Sequence, residues 1–214
     1  MRKALIAWGG WEGHEPEGWA KAIGGMLADD GFDVRIESGT AAFADPALAD
    51  FHLIVPAFTD TTIEKAELDN LTAAVRGGVG LGGCHGGMGD SFRNAVEYQY
   101  MVGGQWVAHP GDVIDYRVDV VRPDDPVMNG IASFAYRSEQ YYMHVDPSNE
   151  VLATTTFDGT YDDSIDGVTI PVVWKRKHGK GRVFYSSLGH SLKEFDIPQT
   201  NMILRRGLNW AARI

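Results

Sequence analysis

Six consecutive residues, Gly82-Gly83-Cys84-His85-Gly86-Gly87, follow the short apolar run Val79-Gly80-Leu81. A short strand that runs into clustered glycines, with a helix expected behind them, is a strand–turn–helix elbow. Glycine two residues before and two after the central position leaves room for a sharply turned backbone. The frame Gly82-x-Cys84-x-Gly86 places Cys84 at the carboxyl edge of a sheet and near a helix N-terminus. That setting lowers a thiol pKa and offers backbone N–H groups to an oxyanion. Open α/β sheets bind ligands at the same edge. Cys84 is expected beside a pocket, as a nucleophile or as a small residue supporting the wall. The bland alternative is a small buried apolar residue.

The flanking sequence extends the pattern. Ala4 to Trp8 is apolar and stops at Gly9-Gly10, as a buried parallel strand does. Trp19, Ile23, Met26 and Leu27 recur at helical spacing up to Asp30-Gly31. Asp33 to Glu37 alternates as a second strand, and Phe51 to Val55, closed by Pro56, reads as a third. Leu68, Leu71 and Val75 mark a helix ending at Gly77-Gly78. Strands separated by helices imply βαβ units. Further strands are expected at Asp115 to Val121, Val151 to Phe157, and on either side of the hairpin signal His178-Gly179-Lys180-Gly181. Pro198 to Arg213 reads as a closing helix. The polar stretch Asp158 to Gly167 reads as a solvated loop. The fold class predicted is a three-layer α/β/α sandwich with a mostly parallel central sheet and extra C-terminal strands, in a single domain over 1–214.

Composition excludes several functions. The 214 residues carry 19 Lys+Arg against 29 Asp+Glu, a formal net charge of −10, which argues against nucleic-acid or anionic-membrane partners. One cysteine excludes an internal disulfide and multi-cysteine zinc sites and fits a reducing compartment. The N-terminal apolar run is too short for a signal peptide, and no stretch reaches the roughly 18 apolar residues of a membrane helix. A cytoplasmic location is expected.

Seven histidines are present. His52 and His178 read as structural. His14, His85, His109 and His190 each follow a segment expected to end at one sheet edge, so they are expected to converge with Cys84 and Glu139. His144 joins them as the least secure member, because alternation puts Gln140, Tyr142 and His144 on one strand face and Glu139, Tyr141 and Met143 on the other. No H-E-x-x-H spacing exists, so any metal site has to be assembled from distant segments.

The ordered set of motifs resembles the trehalose-utilisation (ThuA) family. It comprises Trp8-Gly9-Gly10 with His14, the elbow through Gly87, Phe92, Gly104 to His109-Pro110, Asp125-Pro126-Val127 with Gly130-Ile131, Glu139 with Tyr141-Tyr142, Gly181 to Tyr185, and Leu188-Gly189-His190. The resemblance implies a flavodoxin-like fold similar to class I glutamine amidotransferases and a role in the use of trehalose or related disaccharides, including 3-keto sugars. True amidotransferases pair the Cys with a late His and a Glu two residues apart. Here Glu194 lies four residues after His190, so spacing does not support a Cys84–His190–Glu194 triad.

Three functions stay open at this point. One is a sugar-acting enzyme using His85 and His190 as general acid or base, with Cys84 at the elbow. His14, His109, Glu139, Tyr142 and His144 then bind substrate, Trp11 and Trp106 offer stacking faces, and Glu12 is a further proton carrier. Trp19 reads as core. A divalent metal on the same histidines is a variant of that reading, with no other cofactor expected. The second is a Cys84-dependent hydrolase. The third is a non-enzymatic assembly module. The expected partner is a small-molecule sugar, and a homo-oligomer is compatible with the sequence.

Overall fold

The computed structural model describes residues 1–214. Nine strands form one sheet. Its first half is parallel, in the order β2 (Phe32–Ser38), β1 (Arg2–Gly10), β3 (Leu53–Thr59) and β4 (Gly80–Cys84). The late strand β11 (Gly181–Ser186) lies beside β4 and parallel to it, with Ser186 opposite Cys84. Beyond β11 every pairing is antiparallel, through β10 (Thr169–His178), β9 (Glu150–Thr156), β6 (Val113–Val120) and β7 (Phe134–Glu139). The sheet is therefore mixed, and the expected extra C-terminal strands contribute to its antiparallel half. Strands β5 (Gly104–Ala108) and β8 (Tyr142–Val145) form a separate two-stranded sheet. The second lies within the run Glu139 to His144 that alternates in the sequence, and the first has no such signal.

Every residue of β3 is buried, as a parallel strand covered on both faces requires. The strand continues through Pro56 to Thr59 instead of closing at Pro56. Its pairing with β4 ends at Ile54, so the missing Pro56 N–H removes no bond on that side. This extension carries Thr59 to the carboxyl edge.

Alternation along β1 separates two cores. Ala4 and Ile6 pack with Ile23 and Leu27 of α1 (Pro16–Asp29) and with Leu204 and Leu208 of α5 (Pro198–Ala211). Leu5 and Ala7 pack with Leu71 and Val75 of α2 (Lys65–Gly77) and with Tyr98 and Met101 of α4 (Val96–Val102). Helices thus cover both faces of the sheet. Proline opens α1 and α5, where a missing N–H costs nothing, and a reciprocal Glu64–Glu67 capping box opens α2. No helix is long and apolar enough to cross a membrane.

Strand direction fixes the position of the site. The antiparallel steps from β11 to β7 leave β7 pointing the same way as β1, β3, β4 and β11. All five strands therefore end at one edge. His14 follows β1, Thr59 ends β3, His85 follows β4, Glu139 ends β7, and His190 follows β11.

Candidate functional site

The elbow forms, shifted by one residue from the expected frame. Cys84 is extended, at φ −146° and ψ 166°. The left-handed residue is His85, with φ 48°, at the start of the short helix α3 (His85–Gly89). The frame that operates is Gly83-x-His85-x-Gly87, which overlaps the Cys84 frame. A non-glycine residue held at positive φ costs about 1–3 kcal/mol and persists only where its surroundings hold it in place.

Cys84 is a correction to the expected site. Its thiol is 1% exposed and belongs to the core. Gly189 lies over it, so close that a Cβ there would stand 3.2 Å from Sγ. Burial, with Glu194 nearby, pushes the thiol well above its ordinary pKa, the reverse of an activated cysteine. Glu194 does not complete a triad either. It accepts from Tyr136 Oη at 2.6 Å, from Ser138 Oγ at 3.0 Å and from the backbone N–H of His190 at 2.9 Å. Its work is to hold the loop that carries His190.

His85 is at the centre of the site. Its Nδ1 donates to the carbonyl of Ser187 at 2.9 Å, which in the neutral ring turns the Nε2 lone pair toward the cavity. Three groups crowd that one atom: Tyr141 Oη at 2.7 Å, Glu139 Oε2 at 3.1 Å and His190 Nδ1 at 3.3 Å. His14 completes the group, its Nδ1 2.9 Å from Thr59 Oγ1 and its ring 5.0 Å and 5.2 Å from those of His85 and His190. One donor atom from each of His14, His85, Glu139 and His190 lies within 4.8 Å of the others. Gly86 makes room for this: a Cβ there would meet His14 Cε1 at 2.9 Å and Thr59 Oγ1 at 3.1 Å.

The electrostatics follow from this crowding. Burial, reinforced by the positive charges His85 and His190 can carry, lowers His14 to about 3. Burial opposes ionisation of Glu139, but the His190 and His85 rings beside it outweigh that and hold the carboxyl well below the usual range. The Glu139 hydrogen bond raises His190 against the opposing effect of burial.

A cleft of about 410 Å³ opens beside the cluster. Trp11, Trp106, His109 and Tyr141 supply rings, and Asp60, Asp90 and Arg93 supply charge. His109 Nε2 is 3.9 Å from Glu139 Oε1. Arg93 lies over the Trp106 ring at 4.8 Å while its Nε donates to Asp90 at 2.6 Å.

Five expected members, His14, His85, His109, Glu139 and His190, therefore meet. Tyr142 and His144 do not. Tyr142 turns its ring to Phe157 at 5.7 Å, and His144 is exposed opposite Gln105 in the two-stranded sheet. Both lie on β8, outside the lining of the cleft. Glu12 is exposed and outside the cleft, and Trp19 is core, its Nε1 donating to Gly189 O at 3.4 Å. Thr59, Asp60, Asp90, Arg93 and Tyr141 were missed as site residues. The first two follow from the carboxyl-edge rule once β3 is extended past Pro56.

The fold and site define a mixed α/β protein with a histidine–carboxylate pocket at the carboxyl edge of its sheet. The chain belongs to the ThuA family, described as trehalose utilisation, which matches residues 3–211. That membership ties it to carbohydrate use at the level of the family. A ThuA-like protein from Bacteroides uniformis superposes with a TM-score of 0.80 at 21% identity, covering 98% of this chain and 91% of that one. A ThuA-like protein from Parabacteroides merdae gives 0.79 at 18%, covering 98% and 89%. A cytoplasmic protein from Salmonella typhimurium gives 0.67 at 14%, covering 100% of both chains. No curated protein sequence matches this chain.

Proposed function

We propose that the chain is a sugar-acting enzyme in which His14, His85, Glu139 and His190 hold a divalent cation beside a cleft that takes a trehalose-like sugar. One observation carries the reading: four donor atoms from distant segments lie within 4.8 Å of one another. The contacts support a cation in particular. With the proton of His85 on Nδ1, Nε2 and Glu139 Oε2 are two lone-pair bearers 3.1 Å apart, a contact that a cation between them relieves. Three imidazoles and one carboxylate suit a borderline ion such as Zn²⁺, and the Ser187 carbonyl and Thr59 hydroxyl orient two of the rings.

A divalent ion there supplies Lewis-acid polarisation of a sugar oxygen. His14, lowered to about 3, stays neutral and available as a ligand near neutral pH. Trp11 and Trp106 offer apolar faces to a pyranose, and His109 stands within reach to move a proton at the cleft side of Glu139. A second reading needs no ion. The rise in His190 caused by Glu139 makes the pair a proton store for general acid–base chemistry. The buried thiol offers no support to the Cys84 hydrolase.

The two-faced core supports a three-layer, flavodoxin-like architecture in one domain. The description of the Salmonella neighbour supports a cytoplasmic setting.

The test is calorimetry on chelator-stripped protein. One equivalent of Zn²⁺ should bind to the wild type and fail to bind to His85→Ala, and trehalose should raise the melting temperature of the loaded protein. Trehalose protection without any ion uptake selects the acid–base reading. Neither effect in the wild type rejects both.

A further inference from the structure

We propose that Tyr141 is the residue that donates a hydrogen bond to the sugar oxygen bound at the histidine–carboxylate cluster. This rests on the cation reading above and adds the group that recognises the sugar beside it.

Tyr141 is 4% exposed and clamped among rings. It stacks on His85 at 4.1 Å between centroids and 27° between planes, and its other neighbours are Trp106 at 5.9 Å and His109 at 6.3 Å. The ring therefore has one fixed place, and the orientation of the O–H is the freedom left to it. Its Oη now spends its hydrogen bond on His85 Nε2 at 2.7 Å.

An imidazole nitrogen has a single lone pair. A cation on Nε2 takes that lone pair and ends the contact with Tyr141. The phenol is then a buried donor without an acceptor, a state that folded proteins avoid. Tyr141 also lines the cleft beside the cluster. A hydroxyl or carbonyl oxygen of a sugar docked against the cluster is the acceptor that restores the bond. The hydrogen bond seen with His85 is therefore a placeholder, exchanged for one to the substrate when the site fills.

The exchange has an unusual signature, because the hydroxyl competes with the cation and assists the sugar. Removing it should weaken sugar binding without weakening cation binding. Tyr141→Phe keeps the stacked ring and deletes only the donor. Calorimetry with Zn²⁺ should show affinity unchanged or raised by up to about tenfold, the worth of one competing hydrogen bond. Titration of the Zn²⁺-loaded variant with trehalose should show affinity about tenfold or more below that of the loaded wild type. Melting curves without Zn²⁺ establish that both proteins are folded. Should Tyr141→Phe not fold, wild-type protein titrated with trehalose before and after Zn²⁺ loading gives the second readout, in the 280–290 nm difference absorbance of tyrosine. The proposal expects a tyrosine shift on Zn²⁺ and a second on trehalose, and no second shift overturns it.

Zn²⁺ affinity lowered more than about threefold in the variant, or trehalose affinity unchanged, overturns the inference alone. A wild type that takes up Zn²⁺ but binds no trehalose overturns it as well. A wild type that takes up no Zn²⁺ overturns the cation reading first, and this inference with it.

Discussion

The parallel and antiparallel halves of the sheet build the site from different materials. The parallel half supplies three imidazoles, His14, His85 and His190, each in the chain directly after a strand that ends at the same edge. The antiparallel half supplies Glu139, the cluster's one carboxylate, from the end of β7, with Tyr141 in the next turn. Neither half is a site alone. One would hold crowded bases with no counter-charge, the other a buried carboxylate with no partner, and both are costly states. The ligand chemistry and the charge balance are thus divided across the seam between β4, β11 and β10.

The largest effect should come from removing the antiparallel contribution. Glu139→Gln is expected to lower Zn²⁺ affinity by at least about 100-fold, beyond the loss usual for an orienting partner. Calorimetry that finds it unchanged would reduce that half to packing. Next is the support of the His190 loop. Glu194→Ala strands the hydroxyls of Tyr136 and Ser138 and the N–H of His190, and should cost about 2 kcal/mol in urea denaturation. On the parallel side, Gly86→Ala pushes a methyl into His14 and Thr59, and about a tenfold loss of Zn²⁺ affinity is expected by the same titration.

Two smaller effects sharpen the contrast away from the site. His178 ends β10, at the edge opposite the cleft, where burial and then Arg76 and Arg176 lower it to about 4. Between that value and the unfolded value near 6.5 the unfolded chain binds more protons. Stability should be full above pH 6.5, fall toward pH 4 and level off below, a slope that His178→Gln removes. Cys84→Ala should cost about 1 kcal/mol of stability and leave Zn²⁺ affinity unchanged; a loss of sites would return the thiol to the mechanism.

The sequence made the parallel half legible because the rule there is directional: loops after parallel strands share an edge. That rule put His14, His85 and His190 at one edge, where the structure has them. It could not choose between overlapping glycine frames, since Gly82 to Gly87 satisfies the spacing around Cys84 and around His85 alike. The choice is made by tertiary packing, with Gly189 closing over the thiol. Glu139 was found through the same edge, although its strand reaches it by four antiparallel steps that no local pattern encodes. Alternation did separate Glu139 and Tyr141 from Tyr142 and His144. The run breaks after Glu139, and Tyr142 and His144 pass to β8 of the two-stranded sheet, outside the cleft lining. Arg93 and Asp90 had no signal, because their meeting with Trp106 depends on β5, which periodicity does not mark.

The position of β11 has a consequence for how the chain is made. Of the sheet's nine strands it comes last in chain order, yet it sits in the middle of the sheet, the one connection between β4 and β10. Until it emerges from the ribosome, the earlier strands can exist only as two separate pieces. His190 arrives a few residues later still. A nascent chain therefore carries a closed pocket at no intermediate length, and an unfinished product cannot capture metal with the full donor set.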